Sequence, residues 1–108
     1  MADSLTNSEL LVMSAVLHLN NNTYGVPIVQ ELERNRQRMS VATVYVVLSR
    51  LEQRGLVASE MGDATPERGG KAKRYFRVTA GGVRQIRALQ RTLERLWSGV
   101  PQLQGETR

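Results

Sequence analysis

Residues 39–55, MSVATVYVVLSRLEQRG, constrain the fold of this chain more than any other stretch. Val41, Val44, Leu48 and Leu51 step by three, four and three residues, which places them on one side of a 3.6-residue period and predicts an amphipathic helix over 39–54. Ser40 can accept from backbone amides of the first turn, and Gly55 supplies a left-handed residue at the other end. The opposite side carries Ser40, Thr43, Val47, Arg50 and Arg54, none of them acidic. A wet face of small hydroxyls and arginines suits the major groove of DNA. An ordinary core helix with a solvated face fits the same window, so the neighbouring sequence has to decide.

Upstream, Thr6-Asn7-Ser8-Glu9 has the form of a capping box and opens a helix over 7–20. Leu10, Leu11, Met13, Val16, Leu17 and Leu19 make that helix apolar nearly all round, so it should be buried on more than one side. His18 reads as a packing or surface histidine, and 20–23, Asn-Asn-Asn-Thr, as a turn. A second helix over 24–37 tolerates Pro27 only in its first turn and buries Val26, Ile28, Val29 and Leu32. Two helices joined by a few residues, the second with a polar and basic wet face, make a helix-turn-helix pattern.

Downstream, residues 56–61 alternate as a strand, with Leu56, Ala58 and Glu60 on one face and Val57, Ser59 and Met61 on the other. Residues 62–70 are too rich in Gly, Pro and polar side chains to pack a core and read as a loop; residues 74–78, RYFRV, return as a second strand. From Glu67 onward the tip and return carry Arg68, Lys71, Lys73, Arg74 and Arg77 against that single acid. A basic, glycine-rich hairpin directly after a helix-turn-helix is what a DNA-binding wing requires: backbone can approach phosphates closely and the cations displace counterions.

Thr79 caps a last helix over 80–98, stopped by Gly99 and Pro101; the tail beyond is polar and expected to fray. Ile86, Leu89, Leu93, Leu96 and Val100 step by three, four, three and four, a short heptad seam. At ~1.5 Å per residue this helix approaches 30 Å, longer than so small a domain can cover. The uncovered seam predicts a homodimer through Ile86, Leu89, Leu93 and Leu96. The same helix repeats Arg84, Arg87, Arg91 and Arg95 with Glu94 as its only acid. These like charges repel unless a partner compensates. The stripe reads as a solvated face, as a partner for Glu9 or Glu31 across the dimer, or as the lining of an electropositive cavity between subunits suited to an anionic effector.

Composition narrows the function. The chain has 108 residues, a net charge of +5, no cysteine and one histidine. The length suits one compact unit, and the charge favours an acidic partner such as nucleic acid. Without thiols or a second histidine there is no thiolate chemistry, no evident metal set and no plausible nucleophile–base pair, so the reading is not an enzyme and needs no cofactor. MADSLTNSE lacks the basic start of a secretory signal, and the longest apolar run, Leu10 to Leu19, is short of the ~20 residues a spanning helix needs. A soluble, cytoplasmic protein with no membrane partner is expected.

Taken in order over residues 5–98, these features resemble a PadR-type transcriptional regulator of the short kind with a single C-terminal helix. Tyr24-Gly25 with Ile28 resembles the family's Tyr-Gly-x-x-Ile, and Thr43-Val44-Tyr45 with Leu48, Arg50-Leu51-Glu52 and Gly55-Leu56 resembles its recognition stretch. Gly69-Gly70, Lys73-Arg74-Tyr75-Phe76 and Thr79-Ala80-Gly81-Gly82 resemble the wing, its basic-aromatic return and the start of the last helix. Val26-Pro27 and Val46 depart from the pattern, Val46 standing where proline is common.

The resemblance implies a mainly α fold with a small β-hairpin: a winged helix-turn-helix over 1–79, then a C-terminal dimerisation helix and tail over 80–108. It implies a homodimeric repressor on a two-fold symmetric double-stranded operator, with helix 39–54 in the major groove and the wing toward the minor groove. Ser40, Thr43 and Tyr45 then meet phosphates or base edges, and Arg50, Lys71, Lys73 and Arg74 meet phosphates. In members that sense aromatic compounds, a tryptophan of the last helix lines a cavity between subunits, which makes Trp97 a candidate pocket residue for a small aromatic effector; a dimer-core or rim aromatic is the plainer role. The competing readings are an effector-less nucleic-acid-binding module and a protein-interaction module on the same winged-helix fold.

Overall fold

The computed structural model of the chain describes residues 4–62 and 72–104. Helices α1 (Asn7–His18), α2 (Gly25–Arg34) and α3 (Val41–Gln53) are followed by strands β1 (Val57–Met61) and β2 (Arg74–Val78), then α4 (Ala80–Trp97) and a 3-10 turn over Pro101–Leu103. This is a winged helix: three packed helices, an antiparallel hairpin and a long trailing helix.

The first helix starts where the capping box predicts. Thr6 Oγ1 accepts from Glu9 N–H at 3.0 Å, and Glu9 Oε1 accepts from Thr6 N–H at 2.9 Å. Val12, Met13, Ala15 and Val16 are buried, while Leu10, Leu11, Leu17 and Leu19 are half-buried. Pro27 sits in the first turn of α2, and Ile28 and Leu32 enter the core. Val26 does not: it is exposed, on the rim of a cleft between α2, α3 and the hairpin.

The buried face of α3 differs from the expected one by one pair of valines. Val47 is buried with Val44, Leu48 and Leu51, whereas Val41 is exposed. At about 100° per residue, 44, 47, 48 and 51 share an arc of about 100°, and 41 lies at its edge, one turn ahead of the core. Arg54 also leaves the wet face. It closes α3, and its Nη1 pairs with the buried Glu9 Oε1 at 2.9 Å.

In the hairpin, Val57 pairs with Val78 at the base and Met61 with Arg74 toward the tip. Phe76, Val78, Leu56 and Val57 close the core from below. The stretch read as a plain turn does more than reverse the chain. Thr23 is buried and bridges to Phe76, with Thr23 N–H to Phe76 O at 3.2 Å and Phe76 N–H to Thr23 O at 2.7 Å. Asn21, at φ 54°, continues the ladder with its side chain, accepting from Val78 N–H at 2.7 Å and donating to Val78 O at 3.2 Å.

The last helix grows from the base of the hairpin. Thr79 Oγ1 accepts from Gly82 N–H and donates to Gly55 O at 2.8 Å, while Gly82, the one buried residue of α4, packs against the Leu56 carbonyl. The helix ends at Trp97, and Gly99 takes the positive φ of 76° that turns the chain away. Val100 therefore lies beyond the helix and does not extend the seam as spacing predicts. Residues 101–104 are turned back rather than frayed: Gln104 Nε2 donates to the Trp97 carbonyl at 2.6 Å.

Candidate nucleic-acid interface

The start of α3 presents its hydroxyls as a pair. Ser40 Oγ accepts from Thr43 N–H at 3.0 Å and donates to Thr43 Oγ1 at 3.0 Å, leaving the Thr43 proton to an outside acceptor. Both residues are exposed. Tyr45 turns back instead. Its ring packs at 6.0 Å, centroid to centroid, on Phe76, and its hydroxyl accepts from Gly25 N–H at 3.2 Å. The hydroxyl proton remains free to donate, so a phosphate contact there is tied to the start of α2. Gly25 is what allows the approach, since a Cβ on it would lie 2.6 Å from the Tyr45 ring.

Beside that contact, α2, α3 and β2 converge on a cleft of about 250 Å³ lined by Tyr24, Val26, Tyr45, Ala72, Lys73 and Arg74. Lys73 Nζ stands 5.1 Å from the centroid of Tyr24, whose ring meets Tyr75 edge-on. Arg74 Nη1 donates to Ser59 Oγ at 3.0 Å, and Ser59 in turn donates to Glu52 at 2.7 Å, which links the wing to the end of α3. Of the residues singled out by sequence, Tyr45, Lys73 and Arg74 therefore meet in one place. Ser40 and Thr43 stand at the near end of α3 and Arg50 is exposed in its last turn. Lys71 lies outside the described residues, as does Arg68.

With Val47 in the core, the solvent side of α3 is centred elsewhere than the hydroxyl–arginine face. Ala42, Val46, Ser49 and Gln53 are all exposed and lie opposite Val44, Val47, Leu48 and Leu51, with Thr43 and Arg50 on one flank and Tyr45 on the other. The signal that could have found them is the same period, shifted by one valine. The turn before α3 adds exposed Arg36, at φ 64°, and Arg38.

A second feature lies on α4. Leu10, Ile86, Leu89, Gln90, Leu93, Glu94 and Trp97 line an open apolar groove of about 270 Å³. It gathers three of the four seam residues with Trp97; Leu96, 67% exposed, stays outside. No arginine lines this groove. Nor are Glu9 and Glu31 free for the stripe. Glu9 holds Arg54, and Glu31 accepts from Arg34 at 2.7 and 3.2 Å and from Asn35, with His18 Nε2 at 3.5 Å. The Arg34 hydrogen bonds are the chief reason the Glu31 carboxyl sits below the usual carboxylate range; burial works against them, and the charges of Arg34 and His18 reinforce them. Among the described residues no cluster of three His, Cys, Asp or Glu could hold a metal ion, and no helix is long and apolar enough to cross a membrane.

Residues 15–88 match the sequence pattern of the transcriptional regulator PadR-like family. A curated relative, transcriptional regulator Rv3488 of Mycobacterium tuberculosis (strain ATCC 25618 / H37Rv), is 36% identical over 83 residues, spanning 75% of this chain and 74% of that protein. The crystal structure of a PadR family transcriptional regulator from Eggerthella lenta DSM 2243 is similar with a TM-score of 0.68 at 31% identity, covering 90% of this chain and 83% of that one. A PadR-like transcription factor from Bacteroides fragilis is similar with a TM-score of 0.71 at 25% identity, covering 88% and 87%.

Proposed function

Because this chain belongs to the PadR-like family of transcriptional regulators, we propose that it is a cytoplasmic repressor that binds a two-fold symmetric DNA operator as a homodimer. The observation that carries the DNA reading is the convergence of Tyr45, Lys73 and Arg74 beside the exposed side of α3. In this reading α3 enters the major groove, with Ala42, Val46 and Ser49 facing base edges and Ser40, Thr43 and Arg50 on its flank. Lys71, Lys73 and Arg74 hold phosphates, and the Tyr45 hydroxyl donates to one where α2 begins. Ile86, Leu89, Leu93 and Leu96 meet their symmetry mates. The phosphate contacts supply most of the affinity and little of the specificity.

The groove beside Trp97 carries the effector part of the proposal. A planar aromatic compound fits an apolar slot with an exposed indole, and its binding would bias the dimer between DNA-competent and incompetent geometries. Saturable micromolar quenching of Trp97 fluorescence by planar aromatics supports this; no response across a varied panel removes the effector.

The deciding experiment is fluorescence anisotropy on the DNA upstream of the protein's own gene against scrambled DNA, across a salt series. A preference of about a thousandfold or more is expected. Lys71→Ala with Lys73→Ala should weaken both DNAs alike and flatten the salt slope by about two units. Equal, weak binding to both DNAs would refute the operator reading and favour an interaction module.

A further inference from the structure

The arginines of α4 form a surface of their own. Arg84, Arg87, Arg91 and Arg95 step by three, four and four residues, and all are exposed. At about 100° per residue they share an arc of about 80°, on the side of the helix opposite Ile86, Leu89 and Leu93. Among the described residues, Arg84, Arg87 and Arg91 make no ion pair, and Arg95 donates only to Thr92 Oγ1 at 3.4 Å. Glu94, the one acid of this helix, accepts from Gln90 instead. Among the described residues these arginines thus form a self-repelling cationic ridge that no acid neutralises. The ridge also stands apart from the α3–wing cleft. Its helix leaves the hairpin at the Val57–Val78 end, whereas Lys73 and Arg74 line that cleft from the Met61–Arg74 end.

We propose that this ridge is a second phosphate-backbone contact, made with DNA outside the stretch that α3 and the wing engage. The inference rests on the DNA-binding reading above for why DNA is the polyanion at hand. The chemistry favours phosphate: every cation on α4 is arginine, whose planar fork pairs with two oxygens of one phosphate. The size fits as well. From Arg84 to Arg95 the helix rises ~16 Å, about the axial span of five phosphates on one strand. With the apolar seam turned to the opposite side, dimerisation leaves the ridge open. A flanking segment of the same duplex and a second duplex share this chemistry, and duplex length separates them.

The test is anisotropy on scrambled DNA across a salt series with five proteins: wild type, Arg87→Gln/Arg91→Gln, Arg87→Lys/Arg91→Lys, Ser40→Ala/Thr43→Ala/Lys73→Ala, and the last combined with Arg87→Gln/Arg91→Gln. Losing the two arginines should flatten the slope of log affinity on log salt by about 1.8 units in both backgrounds, and Arg87→Lys/Arg91→Lys should largely restore it. The effect confined to a long duplex assigns the ridge to flanking DNA. Its presence on a short duplex of about two helical turns, with energy transfer between two labelled duplexes, assigns it to a second duplex. An unchanged slope in both backgrounds overturns the ridge. Capture of poly-glutamate but not DNA, lost in Arg87→Gln/Arg91→Gln, overturns it in favour of an acidic protein. If the α3–wing variant binds all DNA like wild type while the ridge variant does not, the ridge stands and the operator interface proposed above fails.

Discussion

Gly81 and Gly82 are adjacent in sequence and opposite in consequence. A Cβ on Gly82 would be driven into the Leu56 carbonyl and lie 2.6 Å from Val78 Cγ1, where α4 is seated on the hairpin. Gly82→Ala should therefore lower the melting temperature by the equivalent of about 1–3 kcal/mol, although alanine is the better helix former. At Gly81 the nearest atoms are 3.6 Å away or more, so Gly81→Ala should raise stability by up to ~1 kcal/mol. Thermal melts of the two variants side by side check both signs. Glu31 sets a pH dependence at the same scale. Its pKa is lowered in the folded chain, chiefly by the Arg34 hydrogen bonds, so its contribution is full above the ordinary carboxylate pKa of about 4.3 and is lost as pH falls through the folded value. Stability measured across that acid range should decline less steeply in Glu31→Gln than in the parent. Spacing alone points to neither acid as buried, because burial of Glu9 and Glu31 depends on Arg54 and Arg34 arriving beside them.

In the proposed reading, recognition is decided at the level of one helix. The period of α3 and its Ser40 cap were legible, as were the two strands and the capping box of α1. Spacing chose the wrong one of two valines to complete the buried arc: it placed Val41 inside and Val47 on the wet face, and the structure reverses them. That depends on α3 lying against both α1 and the hairpin, and it turns the exposed side toward Ala42, Val46 and Ser49. Val46 is 51% exposed and suits apolar contact with a thymine methyl group. Val46→Ser should leave the melting temperature nearly unchanged and weaken preference at one operator position by about 1 kcal/mol. Binding to a set of single-position operator variants measures this; a uniform loss over all positions would mean Val46 does not face a base. The wing shows the opposite case, with its basic composition plain in sequence but its link to α3 through Ser59 and Glu52 visible only in three dimensions.

For the molecule as a whole, α4 is the helix left most exposed. Only Gly82 is buried on it, while Leu89 and Leu93 line an open groove outside the core. Leu89→Asp with Leu93→Asp should give a folded monomer in sedimentation equilibrium at micromolar concentration, with operator affinity falling at least a hundredfold as the second half-site is lost. A variant that remains dimeric would place the subunit contact elsewhere.

The order of helices, the hairpin and the long last helix were determined by sequence alone, because periodicity, caps and glycine-rich turns act over a few residues at a time. The seam and the arginine stripe on opposite sides of α4 follow from the same local period. Only the tertiary structure decided that Thr23 and Asn21 would extend the sheet, that Tyr45 would reach Gly25, and that Glu9 would hold Arg54. Each of these contacts joins residues distant in the chain, and its geometry depends on how whole elements pack, which no local pattern encodes.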